Sequence, residues 1–215
     1  MRRHDPGPRQ ARPPSPGRGA NLERLTLMSY QQTFRAALER TARFGLPAPA
    51  VPFTERRFLD AAGEQALAGI AQDVLGGRAP REVADRCVGV HRGALARVGE
   101  ALGCTPVLTI GHVVVGEQSY FERDEDAYRK NLTGLTAEGH GYLHCWLTLP
   151  SLEIVDFTLG TGLAYFELAS DKNFGCVFYG LADDLATHDQ LTFHPMLVGE
   201  GYEDRLRANF AIQML

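Results

Sequence analysis

The chain reads as an α+β domain, with N-terminal helices leading into an antiparallel β-sheet. Apolar residues recur at helical spacing between Ser29 and Gly103, whereas beyond Gly103 the apolar runs become short and rich in β-branched residues. A block of helices followed by a block of strands describes an α+β domain and not an alternating parallel fold. At 215 residues and 44% hydrophobic content the chain can bury a substantial core within one domain.

The elements follow in order. Residues 1–27 are expected to form a disordered tail or an over-extended start, because residues 1–20 hold five Arg and five Pro and almost no large apolar side chain. They lack the apolar core of a secretory signal. Residues 28–215 are expected to be the single catalytic-type domain. Ser29 and Gln32 form an S-x-x-Q capping box at the head of a first helix carrying Phe34, Leu38 and Phe44, which Gly45 and Pro47 stop. Thr54 is the expected cap of a second helix with Phe58, Leu59, Ala62, Leu67 and Ile70 on its apolar face, ending at Gly76-Gly77. Pro80 starts a short helical turn. From Cys87 to Gly103, Val90, Ala94, Val98, Ala101 and Leu102 keep a 3.6-residue period and predict the central buried helix.

After Gly103, TPVLTIGHVVVG predicts a strand, and EQSYFERDEDAYRKNLTG is a polar excursion with room for a helical turn. Strands over 142–149 and 152–158 follow, then strand-like CVFYGL and LTFHPMLV, and GYEDRLRANF as a C-terminal helix. No internal repeat is present.

Composition narrows the function classes. A net charge of -4 argues against a polyanion-binding surface, so nucleic acid is not an expected partner. No run approaches the roughly 20 apolar residues that a bilayer span needs. Cys87, Cys104, Cys145 and Cys176 are scattered, without a CxxC knuckle or the density of a disulfide scaffold, which fits reduced thiols in a cytoplasmic protein. The Gly76-Gly77 pair is followed by Arg-Ala-Pro and makes no phosphate loop, and no cofactor is expected.

Three residues stand out as candidate chemistry. Cys87 opens the central helix, where the positive end of the helix dipole favours thiolate. His144 lies in the strand YLHCWLTL and can serve as base, and Asp156 closes the strand LEIVDFT and can orient the imidazole. Alternation puts His144, Trp146 and Thr148 on one face of their strand and Cys145 on the other, so Cys145 is expected to be a core thiol. His140, in the Gly-rich EGHGY, ranks below His144 because it approaches only from a loop.

The triad carries a register condition. A two-residue turn at Pro150-Ser151 would pair Cys145 with Asp156 and bury the carboxylate on the apolar face. An odd loop such as Pro150-Ser151-Leu152 would bring Asp156 to the face of His144.

Each residue also has a plainer reading. A lone helical Cys is usually packed core, a strand His a satisfied one, and Asp156 before Phe-Thr a turn residue bonding its own backbone. A metal is the rival chemistry, since Cys87 and His91 lie one helical turn apart with His144 or Cys145 nearby. The opposed faces of His144 and Cys145, and the lack of a second paired-ligand motif, leave no metal site expected.

A helix-opening Cys87, an H-x-W strand at His144 and Trp146, and a strand ending in Asp156 and Thr158 together resemble the transglutaminase-like branch of papain-type cysteine enzymes. The likeness spans roughly residues 80–160; Val88 stands where that family often has Trp. The resemblance implies hydrolysis or transfer at an amide or ester of a protein, peptide or small-molecule substrate. It also implies an oxyanion donor upstream of the nucleophile, for which Gln72 is the nearest side-chain amide. Two other readings stand beside it. One is an arylamine-acetyltransferase-like acyltransferase, for which the chain is short and lacks Arg-Gly-Gly-x-Cys; the other is a binding domain that keeps the fold without the chemistry.

Overall fold

The computed structural model describes residues 29–133, 143–166 and 171–213. His140 and the N-terminal segment 1–27 lie outside them. Among the described residues there are eight α-helices and a six-stranded antiparallel sheet, a mixed α+β architecture.

The first four helices are α1 (Tyr30–Arg43), α2 (Ala61–Leu75), α3 (Pro80–Asp85) and α4 (Cys87–Leu102). The capping box forms as the sequence predicts, with the Gln32 side chain accepting the Ser29 N–H at 3.1 Å. Gly103, in the left-handed conformation at φ 60°, ends α4.

Helix α2 begins later than its sequence suggests. Thr54 is not its cap; Asp60 is, accepting the N–H groups of Ala62 and Gly63 at 3.1 and 2.9 Å. The reason lies far along the chain. Glu153, fully buried, accepts Phe58 N–H at 2.8 Å, Leu59 N–H at 3.2 Å, Arg57 Nε–H at 2.8 Å and the Ser151 hydroxyl at 2.6 Å. That carboxylate holds residues 57–59 in an irregular path across the end of the sheet, so no helix can start there. Glu153→Ala would strand these buried donors and should cost roughly 3 kcal/mol, read as a lowered denaturation midpoint. Glu153→Gln, which keeps an acceptor, should lose less.

Strand β1 (Val107–Val115) organises the sheet. Strand β6 (Leu191–Val198) pairs along one edge of it, while β3 (His144–Thr148) and the short β2 (Gln118–Tyr120) share the other edge in turn. Beyond β3 come β4 (Glu153–Asp156) and β5 (Phe178–Leu181). Gly111 is required where it stands, because a Cβ there would collide with the His194 carbonyl oxygen and the Trp146 ring.

The polar excursion supplies β2 and then α5 (Glu125–Leu132), capped by Asp124. Two short helices have no strong sequence signal: α6 (Leu159–Tyr165) and α7 (Ala182–His188). The C-terminal helix α8 spans Gly201–Gln213.

The sheet is covered on both faces. One face presents Leu108, Ile110, Cys145, Leu147, Val155 and Phe157 to a core shared with α2 and α4. The other presents Val107, Val113, Trp146, Ile154 and Phe193 to α1, α6 and α7. Because both faces are buried, the polar side chains of β3 and β4, His144, Thr148, Glu153 and Asp156, must find partners inside the protein.

Candidate active site

The site lies where β3 and β4 part. Their ladder pairs Thr148 with Ile154 and Leu147 with Val155, and the Leu149 N–H donates to Glu153 O at 2.9 Å. The connecting loop is therefore Pro150-Ser151-Leu152, three residues, with Leu152 left-handed at φ 67° as such hairpins need. This odd loop sets Asp156 opposite Trp146, on the same face as His144, as the register condition requires.

Beyond Leu147 and Val155 the strands diverge into a fork, and two side chains from α4 enter it. Cys87 Sγ accepts the Cys145 N–H at 3.3 Å, and His91 Nε2 accepts the Phe157 N–H at 3.0 Å. These two amides would otherwise continue the ladder. Residues one helical turn apart thus satisfy both donors released by the splay.

Cys87 approaches from the α4 face, and His144 and Asp156 belong to the opposite face; they meet in the opening. Cys87 Sγ lies 3.6 Å from His144 Nδ1, and His144 Nε2 lies 2.7 Å from Asp156 Oδ2. The other carboxylate oxygen of Asp156 accepts the N–H groups of Thr158 at 2.9 Å and Leu159 at 3.0 Å, the start of α6. Asp156 is therefore a turn residue bonding its own backbone and the partner of His144 at once. The Thr158 hydroxyl donates to Cys87 Sγ at 3.0 Å.

These contacts set the charges. Burial opposes ionisation of Cys87, but the hydrogen bond from Cys145, together with the charge and hydrogen bond of His144, holds the thiol well below its ordinary value. Burial likewise opposes charge on His144, and the Asp156 carboxylate and Cys87 outweigh it, raising the imidazole to about 10. Asp156 resists the upward pull of burial through the charge and hydrogen bond of His144 and stays well below the usual carboxylate range. These shifts all favour a buried thiolate–imidazolium–carboxylate row. The causes are these side-chain contacts, and the start of α4 is not an open helix end, since α3 runs into it with only Arg86 between.

His91 plays a different part. Burial lowers this imidazole, and the hydrogen bonds and charges of Asp156 and Cys87 raise it, on balance to about 9. The Phe157 N–H decides its state nevertheless, because that donor requires an unprotonated Nε2. The ring proton therefore sits on Nδ1, where it reaches the Cys87 carbonyl oxygen at 2.9 Å. Ligand atoms of Cys87, His91 and Cys145 lie within 4.8 Å of one another. A metal on Nδ1 would drive the proton onto Nε2, against the Phe157 N–H, so this donor set is not matched to a metal.

Two sequence expectations need correction. Gln72 is exposed on the outer face of α2, away from Leu67, Ile70 and Val74, which pack into the core, and is not part of this site. Cys145 does lie on the face opposite His144 and is fully buried, but it does not point clear of the site: its Sγ is 3.4 Å from Cys87 Sγ. The Cys87 thiol, within the fork, touches Cys145 on one face of β3 and His144 on the other.

Sequence reasoning missed Phe121 and gave His91 only as a possible metal ligand. Phe121, left-handed at φ 64°, stacks on His144 with ring centroids 4.9 Å apart. Trp146 donates through Nε1 to the Tyr30 hydroxyl at 2.8 Å, which fixes the ring beside His144. The i, i+4 spacing of Cys87 and His91 was a usable signal; nothing local marked Phe121.

No described helix is long and apolar enough to cross a membrane. No protein-family model, no curated protein and no solved structure matches the chain.

Proposed function

We propose that this protein carries out cysteine-dependent acyl chemistry, hydrolysis or transfer at an amide or ester, with a transglutaminase-like Cys87–His144–Asp156 triad. The observation that carries this reading is the continuous contact from Cys87 Sγ through both ring nitrogens of His144 to Asp156, at 3.6 and 2.7 Å. The order of helix-borne Cys, strand-borne His and strand-borne Asp supports the transglutaminase-like assignment.

In this mechanism the Cys87 thiolate attacks the carbonyl carbon, and the C–N or C–O bond breaks as His144 gives its Nδ1 proton to the leaving group. The thioester is then attacked by water or an amine, whose proton returns to His144. Asp156 stays ionised throughout and holds the imidazole in place. The oxyanion would be met by the Cys87 N–H in the first turn of α4. The Thr158 hydroxyl, 3.0 Å from Sγ, is a side-chain donor beside the nucleophile and replaces Gln72 as candidate for the second contact.

The test is pre-steady-state kinetics with a nitrophenyl ester. A rapid release of nitrophenolate equal to the amount of protein, followed by a slower steady phase, is expected from acylation of a single residue. Release with no burst, at the rate of the Cys87→Ala variant, would refute the reading.

A further inference from the structure

Cys145 is a buried thiol that the triad does not use, yet it lies nearer to Cys87 Sγ than His144 does, at 3.4 against 3.6 Å. From this juxtaposition we propose that Cys87 and Cys145 form a reversible disulfide when a small hydroperoxide oxidises the nucleophile. The bond needs only these two sulfurs and does not rest on the acyl reading; its consequence, a blocked nucleophile, does.

The chemistry balances with the hydroperoxide as oxidant. The Cys87 thiolate attacks the outer peroxide oxygen, the O–O bond breaks, and the departing alkoxide or hydroxide takes the His144 proton. Cys87 becomes a sulfenic acid. Cys145 sulfur then attacks the Cys87 sulfur, the S–O bond breaks, and the leaving hydroxide departs as water with the Cys145 proton. Two thiols and one peroxide yield one disulfide, one alcohol or water from the peroxide, and one further water. Both sulfurs are oxidised by one electron each and the peroxide bond is reduced by two.

Several features of the fork favour this outcome over further oxidation. The sulfurs must close from 3.4 Å to about 2.05 Å, a movement of little more than 1 Å. Thr158 and the Cys145 N–H hold the attacking sulfur in place. Cys87 is only 6% exposed, which restricts the oxidant to a small molecule. His91 Nδ1 lies 3.8 Å from Cys87 Sγ and 3.5 Å from Cys145 Sγ, so one ring packs against both sulfurs and keeps them together. Cys176, by contrast, is exposed, and among the described residues the Cys145 sulfur is the only other sulfur within 4 Å of Cys87 Sγ.

The experiment exposes the reduced full chain to graded hydrogen peroxide, blocks remaining thiols in denaturant, and maps the digest by mass spectrometry without reductant. The expected product joins the Cys87 and Cys145 peptides with two hydrogens lost, and dithiothreitol restores both thiols. In Cys145→Ser, which keeps the side-chain shape and its hydrogen-bonding proton, and in Cys145→Ala, Cys87 should instead pass to sulfinic acid that dithiothreitol does not reverse. Accumulation of Cys87 sulfinic acid in the wild-type chain while Cys145 remains a free thiol would overturn the proposal. So would a Cys87 that stays reduced, or that joins Cys104 or Cys176. The wild-type map alone decides the matter if a variant fails to fold, and its result is independent of any ester burst.

Discussion

Replacing Asp156 with asparagine is expected to slow acylation of Cys87 by about 10,000-fold while leaving the fold in place. The amide oxygen can still accept the Thr158 and Leu159 N–H groups, so the start of α6 keeps its anchor. The amide nitrogen, however, would face His144 Nε2 as a donor. The ring must then accept there and carry its proton on Nδ1, pointing at Cys87, where it can no longer take the thiol proton. Asp156→Ala should behave differently, because it strands two buried amides and the Nε2–H of His144 and should cost about 3–5 kcal/mol of stability. Because its carboxyl is depressed in the fold, the stabilisation Asp156 supplies is complete above about pH 3.9 and fades as the pH falls below that. Wild-type acylation in Asp156→Asn, measured as burst rate, would remove the carboxylate from the mechanism.

Cys87→Ala should abolish acyl-enzyme formation altogether, whereas Cys145→Ala should remain competent. The two thiols are in contact, so the contrast depends on which groups each variant removes. Cys87→Ala takes away the only sulfur within reach of His144 Nδ1 among the described residues. Cys145→Ala leaves the strand amide that donates to Cys87 Sγ, because that donor is backbone. Its cost is a small cavity, about 1 kcal/mol, and loss of the Cys145 hydrogen bond that helps keep Cys87 ionised. Labelling with an electrophilic ester should therefore persist in Cys145→Ala, with its pH dependence displaced to higher pH. Stoichiometric labelling of Cys87→Ala, mapped to Cys145, would exchange the roles of the two thiols.

What the sequence could show follows the range of the forces involved. The capping box at Ser29, the periodic stripe of α4 and the alternation of β6 are local, and local spacing reveals them. The β3–β4 loop was legible as a condition: only an odd count could place Asp156 with His144. The start of α2 was not, because Glu153, about a hundred residues away in the chain, dictates the path of Phe58 and Leu59. The closeness of Cys145 to Cys87 escaped for a related reason. Alternation correctly separates the faces of β3, but it describes an unbroken sheet, and the fork at Cys145 and Phe157 is a tertiary departure created by Cys87 and His91. Gln72 failed because order along a chain does not say which face of α2 meets α4. Phe121 reaches His144 from a left-handed residue after β2, a conformation that phenylalanine does not advertise.

Cys87 is expected to be ionised already at neutral pH, held by His144, Cys145 and Thr158 in a buried row ending at Asp156. The ultraviolet absorbance of the thiolate tests this without requiring any reagent to enter the site. Titrated from alkaline to acid pH, the difference between the wild-type chain and Cys87→Ser should show one thiolate that persists at pH 7. It should fade only as the pH falls below 7, as Cys87 takes up its proton. Appearance of that absorbance only as the pH rises past about 8.5, the ordinary thiol value, would mean that Cys87 rests as an unactivated thiol.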